Sequence, residues 1–141
     1  MQFMTSNLST HGLHDASQMG MRAAVGVIFI VHGFGKFGNP GFGEWISSLG
    51  IPAEMQIPIA LAEFIPGILL IIGVLTRISA SLISIVMLGA IFLVKGATSL
   101  TGEYGYELDL ILLAVCLVVI VAGPGRVSLS YVLKKVPRVL Q

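Results

Sequence analysis

The chain has 141 residues, 55% of them hydrophobic and 11% charged, and a mean hydropathy of +0.95, whereas a soluble domain carries about 25% charged residues; these figures describe a membrane protein. Eight Lys and Arg against seven Asp and Glu leave a net charge of +1, which excludes a global basic field for nucleic acid. The single cysteine, Cys116, excludes an intrachain disulfide and a cysteine-based metal site.

A membrane-spanning helix needs roughly 20 apolar residues, so four spans consume nearly the whole chain and leave no room for a soluble catalytic domain. Residues 1–18 are polar and lack the basic start of a secretory signal. They read as a flexible tail, and the first apolar helix as a retained anchor. The membrane domain covers residues 19–126. Its first span runs from Gly20 to Phe37, carries His32 and Lys36, and stops at the GNPG cluster from Gly38 to Gly41. In the FGEWISSLG segment that follows, Phe42, Trp45, Ile46 and Leu49 recur at helical spacing, which predicts a short interfacial helix with Trp45 at headgroup level.

The second span, Met55 to Leu75, is interrupted by Glu63 and Pro66. The third, Ile78 to Val94, is separated from it only by Thr76 and Arg77, a connection that demands an antiparallel hairpin. On the third span, Ala80 and Ser84 are four apart and suit close helix packing. The last apolar run, Leu108 to Ala122, is 15 residues, or about 22 Å at the helical rise, so its helix is predicted to start upstream near Glu103. GPG at Gly123 to Gly125 ends it, and residues 127–141 form a basic tail. The predicted fold is all-α: a four-helix transmembrane bundle with a short interfacial helix between helices one and two.

With four spans both termini share one face. That face holds Arg22, Arg77, Arg126, Lys134, Lys135 and Arg138, and the other only Lys36 and Lys95. The positive-inside rule therefore places both termini of a multi-pass cell-membrane protein in the cytoplasm, with Lys134, Lys135 and Arg138 at the anionic inner leaflet.

Glu63 is the most informative single residue, because a carboxylate inside a span costs on the order of 2.5–3.5 kcal/mol on insertion scales. It needs a partner, whether to lock two helices or to serve as a proton-active group in a pocket closed to lipid. His32 and Glu63 each lie six residues, about 9 Å, below the outer end of their helices. Lys36 shares a helical face with His32, so a His32, Lys36 and Glu63 cluster is geometrically reasonable. At the outer end of the last helix, Glu103, Tyr104, Tyr106, Glu107 and Asp109 crowd into seven residues. They form either the rim of a pocket, with Lys36 or Lys95 between Glu103 and Glu107, or an acidic helix start within an aromatic belt. GFGKFG, Gly33 to Gly38, fits GxGxxG literally but closes a membrane helix instead of opening a helix after a strand, so it is no dinucleotide site. Its glycines suit close approach of another helix. His11 and His14 are too few for a metal site, and no metal is predicted.

Four segments in order resemble a known pattern: an Arg opening helix one with HGFGK near its end, AEFIPGILLIIGVLTR, EYGYEL before helix four, and GPGRVSLS after it. Together they resemble the DoxX family of small four-helix membrane proteins over about residues 20–130. The sequence departs from the pattern at Ser130, where an Asp is usual. The resemblance implies association with membrane complexes that handle sulfur or thiol redox chemistry with quinone, and it carries over His32, Lys36, Glu63, Arg77, Glu103 and Tyr104 as polar positions.

Two functions are compatible with these residues. The first is a quinone-linked redox subunit with an outer-leaflet polar pocket. His32 and Lys36 would donate to a quinone carbonyl, Glu63 would relay protons outward and Glu107 or Asp109 would pass them to water, with Glu103 and Tyr104 as further cofactor-binding candidates. Electrons would come from a partner subunit or an external sulfur anion, because the sequence carries no haem, iron–sulfur or flavin signature. The second is a non-catalytic accessory subunit whose buried polar groups fix helix register. Either implies the lipid bilayer and other membrane subunits, or further copies of the chain, as partners.

Overall fold

The computed structural model describes residues 12–133, 137, 139 and 140. Residues 1–11 and the inner-leaflet candidates Lys134, Lys135 and Arg138 lie outside the described residues. The elements are α1 (Gly12–Lys36), α2 (Pro40–Ser48), a 3-10 turn (Ala53–Met55) running into α3 (Gln56–Ile72), α4 (Thr76–Gly89) continued by a π turn (Ala90–Val94), α5 (Glu107–Ala122) and α6 (Leu129–Leu133). No strand occurs among the described residues. Three helical units, Gly12–Lys36, Ala53–Ile72 and Thr76–Val94, are long and apolar enough to cross a membrane. At 16 residues, about 24 Å, α5 is the shorter fourth member. The chain is a helical membrane bundle, with α2 inserted between the first two long helices.

The bundle is built from two tight pairs, α1 on α3 and α4 on α5, joined by the α3–α4 hairpin. Its core is narrow: Phe29, Leu70, Ala80, Ile83, Cys116 and Val119 are buried. Val27, Val31, Ile85, Phe92 and Val121 point outward, as expected where the solvent for the outer face is hydrocarbon. Glycine sets the α1–α3 distance. A β-carbon on Gly33 would lie 2.7 Å from the Phe64 nitrogen and 2.8 Å from the Ala60 carbonyl oxygen, so the helices touch backbone to backbone. Ala80 and Ser84 are both buried on α4, with the Ser84 hydroxyl donating back to Ala80 O at 2.7 Å. Helix α3 passes through Pro66 without a break and ends at Gly73, whose φ of 75° makes the left-handed cap.

The turn between α3 and α4 lies at Gly73–Leu75, ahead of the expected Thr76 and Arg77, which open α4; three further boundaries are misplaced by local sequence, each for a tertiary reason. Helix α1 already includes Gly12 and the rest of the described stretch that reads as tail, because Asp15 and Gln18 are buried against the α5–α6 connection. Asp15 accepts from Arg126 Nε at 2.8 Å and from the Arg126 backbone N–H at 3.1 Å. Ser130, beyond residue 126, is likewise held: it is buried and its N–H donates to Gly73 O at 3.1 Å. Helix α5 starts at Glu107 and not near Glu103, since Gly102, with φ of 100°, turns the chain, and Tyr106 and Glu107 donate back to Ser99 O and Leu100 O at 3.2 and 3.0 Å.

At the end of the bundle that holds Gly73 and Ser130, Arg22 is fully buried. Its Nη1 donates to Leu70 O at 2.8 Å and its Nη2 to Val127 O. The cation thus sits on the last carbonyls of α3, where the helix dipole favours positive charge.

Candidate functional site

At the opposite end, the chain leaves α1 at Lys36 and reverses. Asn39 caps α2 by accepting from Gly41 N–H at 3.1 Å, and Pro40 occupies the first helical turn, a favourable pairing of cap and proline. Gln56 then ties the reversal together: its Nε2 donates to Lys36 O and to Asn39 O, both at 2.7 Å. The end of α1, the start of α2 and the start of α3 are thereby one hydrogen-bonded unit, and the backbone of Lys36 is held within it.

From this fixed point the Lys36 side chain reaches Glu63 of α3 and forms an ion pair with Glu63 Oε2. The Glu63 side chain is 4% exposed and that of Lys36 22%, so the carboxylate is the deeper partner. The Lys36 ammonium also lies 5.3 Å from the centroid of the Phe42 ring, within cation–π range. A second ion pair crosses the other side of the same end. Lys95, directly after the π turn, pairs with Asp109 Oδ2 and donates to Gly105 O at 3.0 Å. The π turn, closed by the bond from Lys95 N–H to Ala90 O at 3.0 Å, widens the helix at this point, and such turns recur at functional sites.

Between the two pairs lies a cavity of about 340 Å³. Lys36, Glu63 and Lys95 supply its polar groups; α2 contributes Phe42, Trp45 and Ile46, and the end of α4 contributes Ala90, Leu93 and Val94. This is the composition of a small-molecule site: mostly apolar and aromatic walls with a few converging polar groups, within the usual size range of about 300–1,000 Å³. Two ammonium groups can donate to ligand oxygens, and the adjacent carboxylate can accept or release a proton.

The structure brings Lys36 and Glu63 together and leaves His32, Glu103, Tyr104 and Glu107 outside the described cavity lining. His32 is exposed, with its ring edge-on to Phe29 at 6.2 Å. Gly33 is the residue that meets α3, and its neighbour His32 is turned from it by about 100° on the helix. The expected three-residue cluster is therefore a pair. Glu103 and Tyr104 are exposed in the turn before α5, and Glu107 is exposed at its start. Lys95 does not bridge Glu103 and Glu107; it pairs with the buried Asp109. Arg77 lies at the far end of α4. Sequence reasoning named Lys95 only as a cation between Glu103 and Glu107 and did not pair it with Asp109, because a helix started near Glu103 sets Asp109 six residues deep while Lys95 lies just past the end of its own span. Gln56 had no sequence signal, because its role rests on two backbone carbonyls.

The DoxX family description matches residues 18–96. A Bacillus subtilis (strain 168) protein named "Putative oxidoreductase CatD" is 35% identical over 96 residues, covering 67% of this chain and 72% of that protein. The uncharacterized membrane protein Rv3486 of Mycobacterium tuberculosis is 32% identical over 141 residues, 89% of this chain and 86% of the relative. The inner membrane protein YqjF of Escherichia coli (strain K12) is 28% identical over 129 residues, 87% and 96% respectively. No solved structure matches at a significant level. With the matched segment spanning α1, α3 and α4 and so carrying both Lys36 and Glu63, the chain belongs to the DoxX family of membrane proteins.

Proposed function

We propose that this chain is a quinone-linked redox subunit and that the cavity beside Lys36 and Glu63 receives the quinone headgroup. The observation that carries the reading is the placement of two lysines and a buried carboxylate around one apolar, aromatic-walled cavity within a membrane bundle. The oxidoreductase name of the Bacillus subtilis relative agrees with it. A bound quinone supplies a two-electron, two-proton acceptor. Lys36 and Lys95 would hold its two carbonyl oxygens, and the two ammonium groups would be the proton donors beside them, with Glu63 orienting the Lys36 ammonium through the ion pair. The apolar walls from α2 and the π turn exclude water and seat the ring. Electrons arrive from a partner subunit or an external sulfur-type reductant. By the positive-inside count, the cavity opens towards the outer leaflet and the termini are cytoplasmic. His32, facing away from the cavity, has no part in this scheme.

The test is to purify the protein in mild detergent and quantify extracted quinone. About one quinone per chain is expected for the wild type, and a loss of at least tenfold for Ala90→Phe, which fills the cavity. Equal quinone in both proteins overturns the reading. A non-catalytic accessory subunit is the second reading, favoured by the fact that both lysines already have carboxylate partners. It predicts copurifying membrane subunits that are lost when the Lys36 and Glu63 pair is replaced, with no quinone retained by either protein.

A further inference from the structure

At the other end of α4, a recess of about 540 Å³ lies between α4 and α5. Its apolar walls are Ile78, Leu82 and Ile85 of α4, Ile120 of α5, and Val139. The α4 residues recur at the spacing of one helical face. Arg77 is the charged group among its described lining residues, and none of these described residues is a carboxylate. The Arg77 Nε is buried and has no hydrogen-bond partner among the described residues. Ser81 also borders the recess, but its hydroxyl is used within the helix, donating to Arg77 O at 2.7 Å. Ile85 is eight residues beyond Arg77, about 12 Å along the helix. The recess is thus cationic where α4 begins and apolar along its length into the span.

We infer that this recess binds an anionic glycerophospholipid, with the phosphate on Arg77 and an acyl chain along Ile78, Leu82 and Ile85. An apolar trough of this length has no use for a free phosphate. The Arg77 guanidinium favours a net negative headgroup, and among the described lining residues there is no carboxylate to receive the ammonium of a zwitterionic one. The Arg77 side chain, which lines the recess, supplies the guanidinium donors for the phosphate. This site is at the opposite end of α4 from the cavity beside Lys36 and is independent of the redox proposal.

The experiment is native mass spectrometry of the full chain released from detergent with equal phosphatidylglycerol and phosphatidylcholine. Retention of phosphatidylglycerol is expected to exceed that of phosphatidylcholine roughly fivefold, the contribution of one basic residue near an anionic surface. Arg77→Gln should abolish that preference and Arg77→Lys keep most of it. Ile85→Trp, at a position 65% exposed and so tolerant of a larger side chain, should lower retention of both lipids. An unchanged preference in Arg77→Gln, or undiminished retention in Ile85→Trp, overturns the proposal. So does a thermal stabilisation by glycerol phosphate equal to that by the lipid, since that would mark a free-anion site.

Discussion

Gly26 and Gly67 face each other with no room for a side chain on either. A β-carbon on Gly26 would lie 2.6 Å from Gly67 O, and one on Gly67 would lie 2.8 Å from Gly26 O. Both clashes are with backbone, which cannot swing aside, so α1 and α3 would have to separate. Gly26→Val is expected to destabilise the bundle by about 1–3 kcal/mol, the usual range for overpacking. Gly35 is the internal control: nothing lies within 4 Å of its β-position, and Gly35→Ala should gain up to about 1 kcal/mol from helix propensity. Unfolding titrations in mixed micelles compare the two. Equal effects would show that the glycine contact does not set the helix spacing.

The Lys36 and Glu63 pair should respond asymmetrically. Removing the lysine leaves the deeper charge alone, and breaking a buried pair in that way costs about 3–5 kcal/mol. Removing the carboxylate leaves a lysine that is 22% exposed and long enough to reach the interface. Lys36→Met should therefore cost more than Glu63→Gln, and the double change Lys36→Met with Glu63→Leu should recover most of the loss. Thermal unfolding of the three variants checks the order.

His32→Ala is expected to leave both stability and quinone retention within twofold of wild type, because the ring is exposed and lies outside the cavity lining. Lys95→Met removes a cavity donor and leaves Asp109, with its side chain 12% exposed, without its cation. It should lower both. Quinone extraction alongside unfolding separates the two variants, and a large loss of quinone in His32→Ala would return that residue to the site.

Leu75 adopts a φ of 50° in the turn between α3 and α4, a left-handed conformation that costs a non-glycine residue about 1 kcal/mol or more. Leu75→Gly is expected to relieve that strain, offset in part by the greater freedom of glycine in the unfolded chain. A melting temperature equal to or above wild type is the expected result. A clear fall would mean that the Leu75 side chain contributes more than its backbone costs.

The helical architecture was legible because apolar runs bounded by glycine and proline leave few alternatives. The α3–α4 hairpin followed from Thr76 and Arg77 alone, and Glu63 was conspicuous as a carboxylate inside a span. Lys36 was legible as its partner through helix length. The face that His32 occupies was not, because spacing gives the angle between residues of one helix but not which side meets the next helix; that is decided by Gly26 and Gly33. The first described turns of α1 were hidden for a related reason: Asp15 is ordered by Arg126, 111 residues away, and nothing in the local polar sequence records it.

The π turn at Ala90–Val94 has a consequence for chain length. A helix that closes through a bond from Lys95 to Ala90 holds one more residue in that turn than an α-helix would. Deleting one residue within Ala90–Val94 would let the turn close as an α-turn and leave Lys95 facing Asp109, whereas deleting one within Thr76–Gly89 would turn Lys95 by about 100° and withdraw it by about 1.5 Å from Asp109. The alignment of the second ion pair with the cavity is thus fixed by a count of residues, so that register, as much as composition, determines what this end of the bundle can bind.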